Sequence, residues 1–265
     1  MTSLSVTARP TRPRPNWGVR ALVVLALVIT IVAGLAIEFD LRPLLFDGGR
    51  GWFIVSEFLK PDWAFLLRTI DPWLATLAIA VLATVVGSAI ALVVALFSSM
   101  VTARNRVVYQ ITKAIMSVLR SLPDVAWGLL FVAFVGVGTL AGVLALIFFN
   151  IGIVAKLTAE TIDAVELGPL EAADATGANG PQRAFAAVVP QILPNYLSYV
   201  LYTFELNVRA SVVLGMVGAG GIGSTIMVEL ARFNYDNLSA IIILLFVIVL
   251  LIDYLSLWVR KRLIG

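Results

Sequence analysis

The sequence contains no cysteine and no histidine among its 265 residues. The lack of cysteine excludes disulfides, thiol nucleophiles and thiolate metal sites. The lack of histidine removes the commonest general base, Ser-His triads and nearly all zinc and haem ligation. Carboxylates, hydroxyls and lysine remain, but no two carboxylates recur at a spacing that indicates a catalytic pair. We therefore expect neither an enzyme nor a metal or cofactor site in this chain.

Charged residues are also scarce, at 13% of the chain, whereas hydrophobic residues make up 60%. Ordinary soluble domains carry roughly 25% charged residues. So few charges do not cover the surface of a soluble protein of this size, and the excess apolar residues require lipid as their solvent. The formal net charge of +3 is typical of Lys and Arg at the cytoplasmic ends of membrane helices. We expect contact with membrane lipid and none with nucleic acid.

Six stretches are each long and apolar enough to cross a hydrocarbon core of about 30 Å, which takes about 20 helical residues. They lie near residues 21–37, 72–103, 107–135, 140–158, 186–216 and 238–259. The sequence thus predicts an all-α polytopic membrane protein with about six transmembrane helices. Its expected parts are a cytoplasmic tail (1–18), a first membrane helix with an external segment (19–70) and a transmembrane domain (71–265). The alternative for the first helix is a cleaved signal peptide.

The distribution of basic residues predicts the orientation. Lys and Arg precede the first span, surround residues 99–113 and follow the last span. Because cytoplasmic loops are enriched in Lys and Arg, six spans with both termini in the cytoplasm agree with all three clusters. The polar loop that follows the fourth span then also faces the cytoplasm, and the net acidic stretch Glu38–Asp71 faces outside.

The loop over residues 160–187 contains a motif with an unusual spacing. Ala-rich sequence favours a short helix here, with Pro169 at its start and a glycine near its C-cap. A second helical stretch is expected to end at Pro190, so the whole segment forms a protruding knob suited to docking in a groove. A plain surface loop is the alternative. The residues that form the motif are Glu171, Ala172, Ala173, Gly177, Ala178 and the triplet Ala187-Val188-Val189 before Pro190.

This motif resembles the signature of the integral-membrane permease subunits of binding-protein-dependent ABC importers. Their signature is Glu-Ala-Ala, three residues, Gly, nine residues, an apolar triplet and Pro. Ala187 and Val189 stand where the family prefers Ile and Leu, and both remain apolar. The resemblance implies the type I ABC importer permease fold. It also implies that residues 171–173, 177 and 178 are the coupling helix that docks on an ATP-binding subunit.

The same resemblance implies a set of partners. Two ABC ATPase subunits bind ATP and Mg, and this chain does not hydrolyse ATP itself. An ATPase dimer offers two clefts and each permease offers one coupling loop, so a second permease chain, identical or homologous, is required. An extracytoplasmic substrate-binding protein delivers the solute. The expected location is the inner membrane of a bacterial cell.

Three further stretches are similar to the phosphonate-importer group of these permeases. They are Ser121–Trp127, Tyr202–Ala210 and Val217–Gly223. The resemblance implies import of a phosphonate, phosphite or related oxyanion. A permease for another small solute such as methionine is the alternative, because that branch carries a similar glycine-rich stretch. An intramembrane enzyme needs a nucleophile or a metal site at membrane depth, and without His and Cys only carboxylates, Ser and Lys remain for that role. An ion channel does not require a docking segment.

Charged residues within the spans are candidates for the translocation path. Each costs roughly 2.5–3.5 kcal/mol on insertion scales, so each requires a partner or a water-lined path. Glu205 and Arg209 are four residues apart and can pair, whereas Asn207 lies off their stripe. Arg209 is therefore either a structural ion-pair member or a guanidinium that meets the passing anion.

The second set of candidates is a kink and a glycine-rich stretch. Pro123 bends the third span between Arg120 and Asp124, which either act at a gate or pair as i and i+4. The glycine-rich stretch, with Gly218, Gly220 and Gly221, lacks the Gly-Lys-Ser/Thr ending of a phosphate-binding loop. Close helix packing or an outer gate is the expected role for it.

Overall fold

The computed structural model describes residues 17–40, 42, 48–103 and 105–264, and every regular element in those ranges is helical. The expected all-α class is therefore confirmed. Most of the predicted cytoplasmic tail lies outside the described residues. The helices are α1 (Trp17–Ala36), α2 (Gly48–Phe58), α3 (Trp63–Leu66), α4 (Ile70–Phe97), α5 (Arg106–Ser121), α6 (Asp124–Val135), α7 (Thr139–Asp163), α8 (Gly168–Ala175), α9 (Gly180–Arg183), α10 (Val189–Leu214), α11 (Ile222–Ala231) and α12 (Tyr235–Ile264), with π-helical segments at Ala184–Val188 and Gly215–Ala219.

Five helical stretches of the described chain are long and apolar enough to cross a membrane: Trp17–Ala36, Ile70–Phe97, Thr139–Asp163, Gly180–Ala219 and Tyr235–Arg262. The pair α5 and α6 passes the same test when taken together, which brings the number to six. This agrees with the predicted count of about six.

The chain forms two compact units, divided between Ile54 and Val55. The first unit contains α1, which buries none of its side chains. A helix of 20 residues that is apolar on all sides satisfies its backbone internally and is stable in lipid. The second unit contains the other long helices and every residue of the predicted transmembrane domain.

The core of the second unit is built around α4 and α7. Small residues let these helices approach closely, as is usual between membrane helices. A Cβ atom added at Gly87 on α4 would lie only 2.8 Å from the Cβ of Asn150 on α7. The Asn150 Nδ2 donates to the Ala83 carbonyl at 2.9 Å. This buried amide therefore fixes the register of the two helices near mid-span.

The third predicted span is not one straight helix. Its two parts, α5 and α6, meet at an angle of 91°. Pro123 lies at the junction and cannot donate a backbone hydrogen bond, so the helix breaks there. The Trp127 Nε1 donates to the Leu119 carbonyl at 3.2 Å, which holds the two parts together. The kink predicted from Pro123 is confirmed, and it is sharper than a bend within one helix.

Candidate functional site

The predicted coupling motif lies on a compact segment at the end of the bundle where α7 finishes, which we call the coupling segment (residues 164–188). Pro169 occupies the first turn of α8, and Leu170 is 2% exposed and packs in the helical core. Gly177 has φ of +76°, a left-handed conformation that favours glycine. The Ala178 N–H donates to the Ala173 carbonyl at 3.1 Å. The predicted helix and glycine turn are therefore present.

The residues of the motif form an outward surface. Glu171, Ala172 and Gly177 are exposed, and Ala173 and Ala178 are half-buried. An added Cβ at Gly177 would meet no atom within 4 Å. Two large apolar side chains on the same segment are also exposed, Leu167 at 57% and Phe185 at 67%. Exposed apolar anchors beside a rigid helix are typical of a surface that binds another protein.

A set of hydrogen bonds fixes the coupling segment to the turn that follows α4. The Arg183 guanidinium donates to the Val101 carbonyl at 2.7 Å and pairs with the Asp174 carboxylate at 3.3 Å. The Asp163 carboxylate at the end of α7 accepts from the Ser99 hydroxyl at 2.6 Å. Arg183 and Asp174 lie within the loop that contains the motif, but the sequence did not indicate their contact with this turn.

The second helical stretch of the coupling segment does not end at Pro190, and that prediction is wrong. The chain passes from α9 through the π-helical segment Ala184–Val188 into α10, which continues to Leu214. A π-helical turn shifts the hydrogen-bond register, and Pro190 then falls in the first turn of α10, where its missing N–H is tolerated. The Gln191 Nε2 donates to the Ala187 carbonyl at 2.7 Å. The coupling segment is thus rigidly continuous with a membrane helix.

The predicted Glu205–Arg209 ion pair is present, and it belongs to a larger network between α10 and α12. One Arg209 nitrogen lies 2.6 Å from the Glu205 Oε1 and 3.0 Å from the Asp253 Oδ1. Arg260 lies 3.5 Å from the other Glu205 oxygen. Two cations and two carboxylates give the network a formal charge of zero. Each buried or half-buried charge therefore has an opposite partner, as the apolar surroundings require.

Asn207 points away from this network, as the helical spacing predicted. It is fully buried, and its Nδ2 donates to the Thr84 hydroxyl on α4 at 2.7 Å. Its Oδ1 has no hydrogen-bond partner in the described part of the chain. Asn207 therefore joins α10 to α4, at the same level of the bundle as the Asn150 contact between α4 and α7.

At the bend between α5 and α6, the structure separates Arg120 from Asp124. Among the described residues these two side chains form no ion pair. Asp124 occupies the first turn of α6, where its charge is favourable to the helix dipole. The Arg120 Nε lies 3.4 Å from the Met116 carbonyl, and its side chain is exposed. The i, i+4 ion pair considered for these residues is excluded because the helix breaks between them.

The glycine-rich stretch forms a tight turn between α10 and α11. Gly218, Gly220 and Gly221 all have positive φ. The Gly218 carbonyl accepts from the Gly138 N–H at 2.9 Å, and an added Cβ at Gly223 would fall 2.0 Å from the Val212 carbonyl oxygen. The Ile222 N–H donates to the Thr76 hydroxyl at 2.8 Å. These contacts support close packing as the structural role of the glycines.

Comparison with known proteins connects this geometry to a family. The family described as "Binding-protein-dependent transport system inner membrane component" matches residues 91–265. The phosphite transport system permease protein PtxC of Stutzerimonas stutzeri is 38% identical over 209 residues, which are 79% of this chain and 76% of that protein. The phosphate-import permease protein PhnE of Mycolicibacterium smegmatis is 38% identical over 71% of this chain and 36% of its own length.

A solved structure shows the same fold. The chain is similar to the MetNI methionine ABC transporter in an inward-facing conformation, with a TM-score of 0.65 and 23% identity over 75% of this chain and 96% of that one. The expected type I importer permease fold is therefore confirmed.

Proposed function

Since this chain belongs to the family of binding-protein-dependent transport system inner membrane components, we propose that it is the translocation subunit of an ATP-driven importer of phosphite, a phosphonate or a related oxyanion. The observation that carries the transport role is the exposed Glu-Ala-Ala and glycine surface of the coupling segment on an apolar helical bundle. The substrate class is supported by the 38% identity to a phosphite permease. Likeness to a methionine transporter at 23% identity concerns the fold.

The rigid connection of the coupling segment supports a mechanism in which partner subunits drive the bundle. ATP and Mg bind to two ATPase subunits, and Glu171, Ala172, Ala173, Gly177 and Ala178 contact one of them. Closure of the ATPases moves the coupling segment. Because the segment continues into α10 and is held to α7 and the turn after α4, the motion reaches the membrane helices directly. A second permease chain engages the other ATPase.

The remaining partners follow from this arrangement. An extracytoplasmic substrate-binding protein docks at the opposite end of the bundle and releases the oxyanion into the path between the two permeases. The coupling segment and both termini face the cytoplasm. The path opens alternately to the two sides, as binding and hydrolysis of ATP shift the populations of the two conformations.

The docking role is tested by Gly177→Trp. The bulk of the indole at an exposed turn is expected to block seating on the ATPase, so co-purification of the ATPase and uptake should both be lost while the chain still inserts. Gly136→Trp is the matched control, because Gly136 also has positive φ and open space around it. Normal ATPase binding by Gly177→Trp would contradict the proposed docking surface.

The substrate class is tested separately, in vesicles that contain the permease, its ATPase and its substrate-binding protein. ATP-dependent uptake of phosphite or methylphosphonate is expected, and uptake of methionine is not. Uptake of methionine alone would leave the transport role intact and overturn the proposed oxyanion.

A further inference from the structure

Helix α5 has three distinct faces. Four of its residues are buried or half-buried and pack on the bundle: Tyr109, Thr112, Met116 and Leu119. A second face is apolar and exposed, with Val108, Ile111, Ile115 and Val118. The third face is polar and exposed, with Arg106, Gln110, Lys113, Ser117 and Arg120. The spacing of three and four residues within each set places it on one side of a helix.

All charged residues on the polar face of α5 are cations. Arg106, Lys113 and Arg120 recur every seven residues, which is two helical turns or about 10 Å. The helix contains no Asp or Glu. A cation in the first turn, such as Arg106, opposes the helix dipole. Helix stability therefore does not explain the position of Arg106, whereas Arg120 in the last turn is favourable to the dipole.

These three cations differ from the paired basic residues of the bundle. Lys156, Arg209 and Arg260 each lie within 4 Å of a carboxylate. Among the described residues, none of the three α5 cations forms an ion pair. Lys113 instead contacts the Tyr109 hydroxyl at 2.7 Å, and the Arg120 guanidinium donates to a backbone carbonyl. Their positive charges therefore remain available to an external anion.

The cations lie at different depths in the bundle. Arg106 follows the turn that is bound to Asp163, the last residue of α7. At the other end of α5, an added Cβ at Gly152 on α7 would lie 2.9 Å from the Arg120 Cγ. Gly152 precedes Asp163 by eleven residues, or about 16 Å along the helix. The stripe therefore runs from the coupling-segment end of the bundle to about the middle of a 30 Å hydrocarbon core.

We propose that the polar face of α5 lines the inner half of the translocation path, where Arg120, Lys113 and Arg106 guide the oxyanion toward the cytoplasm in that order. An unpaired charge at mid-membrane depth requires a water-filled cavity. Three separate cations without a cage of donors attract an anion while allowing it to leave. The identity of the anion rests on the proposed function, whereas the water-lined cationic face rests on the geometry of α5 alone.

Anionic lipid headgroups carry the same negative charge as an oxyanion and are the alternative ligand of the α5 cations. Lipid binding places the cations at the bilayer surface, where Lys and Arg snorkel. The depth of Arg120 beside Gly152 favours the path. Thiol modification in vesicles with and without anionic lipid distinguishes the oxyanion path from a lipid-binding site.

The first experiment measures access and charge on α5. The native chain has no cysteine, so Ser117→Cys on the polar face and Val118→Cys on the apolar face are matched single-cysteine probes. Both are treated, in the assembled importer within inside-out vesicles, with an anionic and a cationic methanethiosulfonate of similar size. We expect Ser117→Cys to react about tenfold faster with the anionic reagent, and Lys113→Gln to reduce that preference. Val118→Cys should react slowly with both.

An unreactive Ser117→Cys, or equal rates with the two reagents, would overturn the proposal. The measurement is repeated in vesicles of phosphatidylcholine alone and in vesicles with added phosphatidylglycerol. A preference that persists in both supports the path. Protection of Ser117→Cys by phosphatidylglycerol would assign the stripe to lipid headgroups and overturn the proposal as well.

The second experiment measures phosphite uptake per assembled complex. Lys113→Gln with Arg120→Gln is compared with Lys261→Gln and Arg262→Gln, which remove the same two residue types from the end of α12. We expect about a tenfold loss for the α5 variant, partial rescue by Lys113→Arg with Arg120→Lys, and near-normal uptake for the control.

The outcomes distinguish the two proposals. Equal phosphite uptake by both double variants would overturn the role of α5 while the proposed function stands. If the native importer carries no oxyanion but Ser117→Cys still prefers the anionic reagent, the substrate class is wrong and the cationic path stands. If the α5 variant fails to assemble, the reagent preference of Ser117→Cys decides.

Discussion

At the scale of single residues, the charged groups of the bundle fall into two kinds. Arg209 has two carboxylate partners, and the second Glu205 oxygen has Arg260. These contacts account for the cost of placing such groups in the membrane and favour a structural role for Arg209. Within the described ranges, the three cations of α5 form no ion pair, and their positive charge is what an anion recognises. Whether a charged residue forms an ion pair therefore distinguishes residues with a structural role from candidates for the translocation path.

The Arg209 network makes a prediction about paired and unpaired charges. Arg209→Gln alone leaves Glu205 and Asp253 with a single cation, whereas Arg209→Gln with Asp253→Asn leaves the ion pair Glu205 and Arg260 intact. The free energy of unfolding of the single variant should fall by about 1–3 kcal/mol. This is less than the loss on breaking a fully buried pair, because Arg209 is half-exposed. The double variant should recover much of that loss. Thermal unfolding of the purified complex measures this difference.

Transport by the same double variant separates the two roles considered for Arg209. We expect near-normal phosphite uptake once it is normalised to assembled complex, because the cation serves the packing of α10 on α12. Poor uptake by a well-assembled double variant would instead place Arg209 in the path. Arg209→Lys, which keeps the charge and loses the planar fork, should then retain part of the activity.

The sequence predicted part of this network and not the rest, for a physical reason. Glu205 and Arg209 lie one helical turn apart, and that spacing alone predicts their contact. Asp253 lies 44 residues from Arg209, so only the packing of α10 against α12 brings them together. Arg260 was assigned to the cytoplasmic end by charge distribution, which says nothing about a partner. Local spacing is visible in a sequence, whereas contacts between distant helices depend on the fold.

At the scale of elements, the coupling segment shows how a docking surface is held in place. Its helix and glycine turn were predictable from local preferences, since Ala favours helix and Gly177 supplies the left-handed residue. Its continuity through Pro190 was not, because a proline ordinarily ends a helix and the π-helical shift that accommodates it has no simple sequence pattern. The segment therefore transmits motion through α10 more directly than a hinged knob would.

Arg183 tests that rigidity. Its guanidinium joins α9 to both Asp174 and the Val101 carbonyl, two contacts that one ammonium does not reproduce. Arg183→Gln should therefore keep ATPase binding but reduce the solute imported per ATP hydrolysed, by roughly twofold to tenfold for a lost contact of about 0.5–1.5 kcal/mol. For Arg183→Lys, the solute imported per ATP hydrolysed should lie between the values of the native chain and of Arg183→Gln. The measurement is uptake and ATP hydrolysis in the same vesicles.

The control for Arg183 is Arg232→Gln, which removes an exposed arginine near the α11–α12 turn. It should leave the ratio of uptake to hydrolysis unchanged. An unchanged ratio in Arg183→Gln would show that the contact with the turn after α4 does not contribute to coupling.

At the scale of the whole molecule, the ends of the bundle carry different features. The coupling segment, the turn after α4 and the start of α5 lie at one end, joined through Arg183 and Asp163. The segment before α4 and the turn between α11 and α12 lie at the other end, where the Asp62 N–H donates to the Asp236 carbonyl at 3.2 Å. Hydropathy and basic clusters were sufficient to predict this arrangement, because both follow directly from the bilayer as solvent.

The last prediction concerns the orientation of this arrangement in the membrane. Because the basic residues favour the cytoplasm for the coupling-segment end, Asn179→Cys should be inaccessible to an impermeant thiol reagent added outside intact cells and reactive in inside-out vesicles. Arg232→Cys, an exposed site at the other end, should show the opposite pattern. The absence of native cysteine leaves no background in either measurement. Labelling of Asn179→Cys from outside intact cells would contradict the proposed topology. It would also contradict the direction in which the α5 cations are proposed to guide the anion.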